Sequence, residues 1–386
     1  MTRRLQRIKL MFRSLLHEHA NYHHPDYFVI GIVIAIVVFG LIMLSSASSA
    51  ISYVRFNENM YHFFNRQIVG IILGFFLFYI LSRFDYHHYK NIAVPLLIFS
   101  IILLVLVFLP WFEPKGYRSA QSWIRIPVLG IGLQPSEIVK LSFLLYLAAW
   151  LESRGSNLMK LEHGTIPFLA VLFIISLLML LQPDTGTLFI ILIISLSTYF
   201  IAGGNIRHIL YIIIGGIIGL FTMLKIYPYQ LNRFRCFFDS SFSPDFYCYQ
   251  VNQALIAIGS GGFLGRGFGN SRQKFLYLPE VHGDAIFPII AEEMGFIIVV
   301  ALIILFVFLF YRGYLIAKNA PDMYGKIIAI GVVSWLTVQA FINIAGMVNL
   351  LPMTGVPLPF ISHGGSAMIA NLAAAGILIN ISKQTR

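Results

Sequence analysis

Charge is the scarcest property of this chain: 11% of its 386 residues are Asp, Glu, Lys or Arg, and only 16 are acidic. So little charge beside 58% hydrophobic residues excludes a soluble globular domain of this length. Strict apolar/polar alternation is also missing from the hydrophobic runs, which excludes the strands of a membrane barrel. There is no internal repeat, so the inverted-repeat architecture of many transporters gains no support. Two cysteines exclude a disulfide-dense scaffold. No βαβ context surrounds the one segment that resembles a dinucleotide fingerprint.

What is present is a series of apolar runs near the roughly 20 residues that cross a bilayer. They cover 28–48, 67–82, 91–110, 136–151, 165–182, 186–203, 208–225, 285–311, 325–348 and 363–382. Backbone groups in lipid must be satisfied within each segment, so these runs predict an all-α polytopic bundle of ten transmembrane helices. Residues 1–27 form a basic tail, 28–382 the membrane domain and 383–386 a short end.

The Lys/Arg bias places Arg3, Arg4, Arg7, Lys9, Arg13, Arg83, Lys90, Arg154, Lys160, Arg207, Arg312, Lys318, Lys326, Lys383 and Arg386 on one side, so both termini are expected in the cytoplasm. The small residues of "SSASSA" after the first run mimic a signal-peptidase site. The long hydrophobic region before them fits an uncleaved anchor better. The histidines of "HEHANYHHPDY" read as a disordered juxtamembrane stretch rather than a metal site.

Connections are short except for 226–284, a long loop between the seventh and eighth runs, expected outside the membrane and functional. The 111–135 loop, rich in aromatic and basic residues, and the Pro- and Gly-rich 349–362 loop, with Pro352 and Pro359, are expected on the same face. Cys236 and Cys248 lie in the long loop. A disulfide there would stabilise by about 3 kcal/mol in the chain-entropy model, and free thiols fit the spacing as well.

Within "YLPEVHGDAIFPIIAEEMG", residues 277–295, Asp284 precedes the eighth run, either as its N-cap or as a functional acid. Glu292 and Glu293 stand about 12 Å deeper, where an ionised group must face protein or water. Upstream, "GSGGFLGRGFGNSRQK" combines glycines with Arg266, Arg272 and Lys274, a composition that suits a diphosphate or a plain glycine-rich turn. Glu137 of "QPSEIVK" is placed to cap a helix or to pair with Lys140 three residues on. Asp184 of "QPDTGT" is a turn former or a ligand contact. Arg233 and Arg235 oppose the positive-inside trend, and an anionic ligand is the natural explanation.

Taken together and in order, "QPSE", "QPDTGT", "IAIGSGGFLGRGFGNSRQKFLYLPE", "IAEEMGF" and "LLPMTGVPLPF" resemble the SEDS family of bacterial shape, elongation, division and sporulation proteins. The likeness covers nearly all of 28–382, and "GNSRQKFLYLPE" is closer to the division-type FtsW pattern than to the RodA pattern. It implies a glycosyltransferase that polymerises lipid II into glycan outside the bacterial cytoplasmic membrane. It also implies a class B penicillin-binding transpeptidase and other divisome proteins as partners, and no nucleic acid.

By that resemblance Asp284 is the general base. Glu280 and His282 are its polar surroundings, and Glu137, Lys140, Asp184, Arg233, Arg266, Arg272 and Lys274 are substrate contacts. Glu292, Glu293, Pro352 and Pro359 are support. A divalent cation, Mg or Mn, could assist at a site the sequence does not identify, and no organic cofactor is expected. The sequence departs from the family pattern at Gly283, Ala285, Ala345 and His363, which puts local geometry in doubt. Alternative functions are a lipid II flippase, with Lys140, Glu292 and Glu293 lining the path, and a scaffold that activates the transpeptidase.

Overall fold

The structure is a computed structural model that describes residues 23–56, 58–109, 122–126, 131–226 and 228–385. The basic residues before position 22, most of the 111–135 loop and Arg386 lie outside these. Helices occupy each of the ten expected runs: α1 Tyr27–Ala47, α3 His62–Arg83, α4 Tyr89–Leu106, α5 Pro135–Arg154, α6 Ile166–Leu181, α7 Thr185–Ile201, α8 Ile206–Ile226, α11 Ile286–Lys318, α12 Met323–Met347 and α13 Gly365–Ser382. Among the described residues, eight are long and apolar enough to cross a membrane. The exceptions are α7, with 17 residues, and α5, whose run is interrupted by Glu137, Lys140, Glu152 and Arg154.

Short α2 (Ser49–Arg55) follows the first crossing, and Ile124–Ile126 (β1) pairs antiparallel with Ile131–Leu133 (β2). The long loop is not irregular throughout. It contains α9 (Pro228–Phe238) and α10 (Tyr249–Gly261), which the expectation of a plain loop did not include.

The core is α12 and α13, almost wholly buried, with α5, α7 and α11 packed around α12. At the other extreme, α8 is the least buried of the long apolar helices. The two ends of the described chain meet, since the His23 amide donates to the Lys383 carbonyl at 2.8 Å. Around that junction lie Arg312 on Asp26 at 2.6 Å and Lys383 on the Ser82 carbonyl at 2.8 Å. These basic residues thus gather at the end where the termini meet, and the 228–285 segment lies at the opposite end.

α11 is broken at Gly295, whose φ of 76° and ψ of 179° interrupt the helix. A break at membrane depth is tolerated only where protein satisfies the freed backbone groups. Here the strand of chain after α10 does so: the Phe296 amide donates to the Gly262 carbonyl at 2.9 Å, and the Arg266 and Gly267 amides donate to the Glu292 and Glu293 carbonyls at 2.9 and 3.0 Å. The crossing requires glycine, because a Cβ on Gly295 would lie 2.2 Å from the Gly265 nitrogen.

Candidate active site

Asp284 sits on a tight turn in which the Gly283 and Ala285 amides both donate to the Glu280 carbonyl. The N-cap of α11 is Ala285, and no side chain caps that helix. The capping reading of Asp284 therefore fails, and its carboxylate is turned to other partners. Gln250 Nε2, on the first turn of α10, lies 3.4 Å from Asp284 Oδ1. Arg233, on α9, and the Asp284 carboxylate both approach Gly355: a Cβ there would lie 3.6 Å from Arg233 Nη1 and 3.8 Å from Asp284 Oδ2.

Burial pushes the Asp284 carboxyl up to about 6, with Glu280 adding to the rise, while the Arg233 guanidinium and the Gln250 amide pull it down. A small part of the carboxylate's residue surface stays open. A cavity of about 190 Å³, lined by Arg233, Cys236, Gln250, Pro279 and Met353 among others, opens beside it. Its mouth carries Tyr229, over whose ring the Arg233 guanidinium stacks at 4.7 Å.

The backbone of Asp284 is anchored from α12. Asn343 Nδ2 donates to the Asp284 carbonyl at 2.8 Å and to the Val356 carbonyl at 2.7 Å. One turn earlier, Gln339 Nε2 donates to the Pro357 carbonyl at 2.8 Å, while its Oε1 accepts from Lys140 Nζ at 2.9 Å and Trp335 Nε1 at 2.8 Å. Lys140 in turn pairs with Glu137 at 2.8 Å, both fully buried. Glu137 thus goes to Lys140 rather than to a helix cap, and the ion pair braces the 349–362 loop from within the bundle. Pro352 and Pro359 belong to that loop, with Pro359 buried. Gly186, just after Asp184, fits beneath the loop, where a Cβ would meet the Thr354 carbonyl at 2.7 Å. Asp184 caps α7, accepting from the Thr187 amide at 3.1 Å.

The Gly-rich segment is differently employed. Glu292 accepts from the Ser271 hydroxyl, from the Arg272 amide at 3.0 Å and from the Gln273 amide at 3.3 Å. Glu293 accepts from Ser46 Oγ at 2.7 Å and Lys274 Nζ at 3.0 Å. The amides of 271–273 are taken by the protein's own carboxylates, and those of 265–267 by backbone carbonyls. Lys274 is buried and also donates to Ser46 Oγ at 2.9 Å and to the Gly269 carbonyl at 2.6 Å, so its three protons are all engaged. Arg266 and Arg272 are exposed, with Arg266 3.7 Å from Glu292, and none of these three cations lines the cavity beside Asp284. A second cavity of about 590 Å³ lies between Lys274 and the chain following α1.

His282 is buried against Phe63, ring centroids 4.0 Å apart, and burial holds its imidazole down at about 4. His363 donates its amide to the His282 carbonyl at 2.8 Å. Glu280 is exposed, at a φ of 52°, 3.7 Å from His282. Cys236 and Cys248 are joined as a disulfide, which the spacing alone had left open.

Among the described residues, no three His, Cys, Asp or Glu side chains are grouped to hold a metal ion. Gln250, Gln339 and Asn343 carry the site without having been singled out in the sequence. For the last two a signal exists, since amides four residues apart inside an apolar helix must find partners.

The geometry defines a polytopic helical membrane protein with a half-buried acid and a guanidinium near it at one end of its bundle. A family model described as cell cycle protein, spanning FtsW, RodA and SpoVE, matches residues 26–386. The chain belongs to this family. It is 34% identical to stage V sporulation protein E of Bacillus subtilis (strain 168), over 94% of this chain and 98% of that one. It is equally 34% identical to the probable peptidoglycan glycosyltransferase FtsW of Geobacter sp. (strain M18), over 94% and 97%. Among solved structures, a chain of a peptidoglycan synthase complex that coordinates polymerization and crosslinking superposes with a TM-score of 0.75 at 27% identity, over 93% of this chain and 97% of that one. The rod shape determining protein RodA of Thermus thermophilus gives 0.68 at 28%, over 94% and 97%.

Proposed function

We propose that this protein is a peptidoglycan glycosyltransferase that polymerises lipid II at the outer face of the bacterial cytoplasmic membrane, in the division-type role of FtsW. Both termini lie in the cytoplasm, and a class B penicillin-binding protein and other divisome proteins are its partners. One observation carries the reading: Asp284 is a carboxyl raised to about 6, free of any capping duty and facing Arg233 beside a cavity. A base with its pKa near the working pH is ionised and still able to take a proton in the transition state.

In the reaction, the acceptor GlcNAc 4-hydroxyl attacks the anomeric carbon of the donor MurNAc. The new glycosidic bond forms as the bond from that carbon to the diphosphate breaks, and the hydroxyl proton passes to Asp284. Arg233 faces the negative charge that develops on the departing undecaprenyl diphosphate. Glu137 and Lys140 act at a distance, by holding the loop that positions Asp284 and Gly355. The flippase reading would have Lys140, Glu292 and Glu293 line a path, and each is instead engaged with neighbouring protein groups.

The test is polymerisation of labelled lipid II by the protein purified with its cognate penicillin-binding protein, with and without divalent cation, compared with Asp284→Asn. Glycan from wild type and none from a variant that still folds and binds its partner is the expected result. Equal glycan from both would remove Asp284 from catalysis. No glycan from either would return weight to the flippase or scaffold.

A further inference from the structure

Arg233 reaches Asp284 from a weakly held helix. The main packing partner of α9 is α8, itself the least buried of the long apolar helices. By contrast α10, which carries Gln250, lies along α11, whose N-terminal end follows directly on Asp284. The covalent tie between these two unequal helices is the Cys236–Cys248 disulfide, from the last turn of α9 to the N-cap of α10. Cys236 stands three residues after Arg233, on the same face of α9, and lines the same cavity. Cys248 stands two residues before Gln250, and both sulfurs are buried.

Building on the catalytic reading of Asp284, we propose that the Cys236–Cys248 disulfide is the positioning element that holds Arg233 at Asp284, so that catalysis depends on the oxidised pair. A dithiol reductant that gives the pair two electrons and two protons leaves two thiols and is itself oxidised to a disulfide. α9 is then free to follow α8, and Arg233 leaves the carboxylate. The groups that act on the Asp284 carboxyl are Arg233 from α9, Gln250 from α10 and Glu280 on its own turn, while Asn343 from α12 holds its backbone carbonyl. Arg233 is the one cation among them at neutral pH, so its departure has a distinct sign.

The experiment takes the purified complex, oxidised or treated with dithiothreitol, and reads two quantities against pH. One is lipid II polymerisation. The other is dicyclohexylcarbodiimide labelling of Asp284 by peptide mass spectrometry, which reports the protonated carboxyl without requiring turnover. On reduction, polymerisation at pH 7 is expected to fall about tenfold, and the labelling midpoint to rise by about one unit as the opposite charge withdraws. Cys236→Ser/Cys248→Ser should behave as reduced protein with or without dithiol. In oxidised Arg233→Gln the midpoint should already be raised, and reduction should move it no further.

An unchanged midpoint on reduction overturns the proposal even if activity falls, because loss of stability alone lowers turnover without retitrating Asp284. A second rise on reducing Arg233→Gln also overturns it. If no state makes glycan yet the midpoint moves, the positioning stands and the glycosyltransferase reading fails. If glycan forms equally in both states and the midpoint is fixed, the reverse holds.

Discussion

Replacing Glu292 by Gln tests what the Gly-rich segment is for. The carboxylate has two acceptor oxygens, one on the Arg272 amide and the other shared by the Ser271 hydroxyl and the Gln273 amide. A carboxamide keeps one acceptor and turns an NH₂ toward donors, so at best two of the three bonds survive, and without their charge. Losing one charge-assisted hydrogen bond and leaving a buried amide unpaired costs about 3 kcal/mol. Since 1.4 kcal/mol is a factor of ten, local opening of the segment should become roughly a hundredfold more frequent. Amide hydrogen exchange of detergent-solubilised protein reads this directly: peptides covering 266–276 should lose roughly a hundredfold in protection, with the Arg272 amide losing most. Peptides from α12 should not change. Protection altered by less than about threefold would mean that the segment's amides are not held by Glu292, and would reopen them as a diphosphate cradle.

Other outcomes follow from the same contacts. Asp284 must be ionised to act, so polymerisation should be flat above pH 7 and fall tenfold per unit below about 6, and Glu280→Gln, which removes a charge that raises the carboxyl, should move that midpoint down. Lys140→Met leaves the Glu137 carboxyl without its partner in the core, and should destabilise by about 3–5 kcal/mol in thermal denaturation; the Glu137→Gln/Lys140→Met pair should lose less. Gly355→Ala meets ordinary van der Waals space but a φ of 74°, so it should fold with about 1–2 kcal/mol of strain and still lose polymerisation, its methyl touching both Arg233 and Asp284. A variant as active as wild type would show that these two groups do not act across that gap.

The positions of the helices were legible because burial in lipid leaves a chain so few choices: each apolar run holds a helix, eight of them long and apolar enough to cross among the described residues. Glu137 and Lys140 were legible because charge at membrane depth has to be explained, and Asp284 because the family resemblance marks its position. The break at Gly295 was not, since a single glycine within an apolar run also fits an intact helix. Nor was the use of Lys274. Composition reports a cation near glycines, while two of its three acceptors, Ser46 and Glu293, lie outside that segment and are known only once the chain is folded. Gln250 had no signal at all, being an ordinary polar residue on an ordinary amphipathic helix.

The same contacts separate the cations that the sequence had grouped around the diphosphate, Arg233 with Arg266, Arg272 and Lys274. A diphosphate leaving group needs positive charge near the bond that breaks, and the 266–274 segment carries three basic residues, Arg266, Arg272 and Lys274. Its amides and Lys274, however, are drawn inward by Glu292 and Glu293, which close the break in α11 and fix the end of α1 through Ser46. Two buried carboxylates therefore give this loop rigidity at the expense of its capacity to bind an anion. The cation left facing Asp284 is Arg233, held on the least anchored part of the fold. Stiffness on one side of the turn and adjustable charge on the other suit an enzyme that must keep its base fixed while successive diphosphates depart.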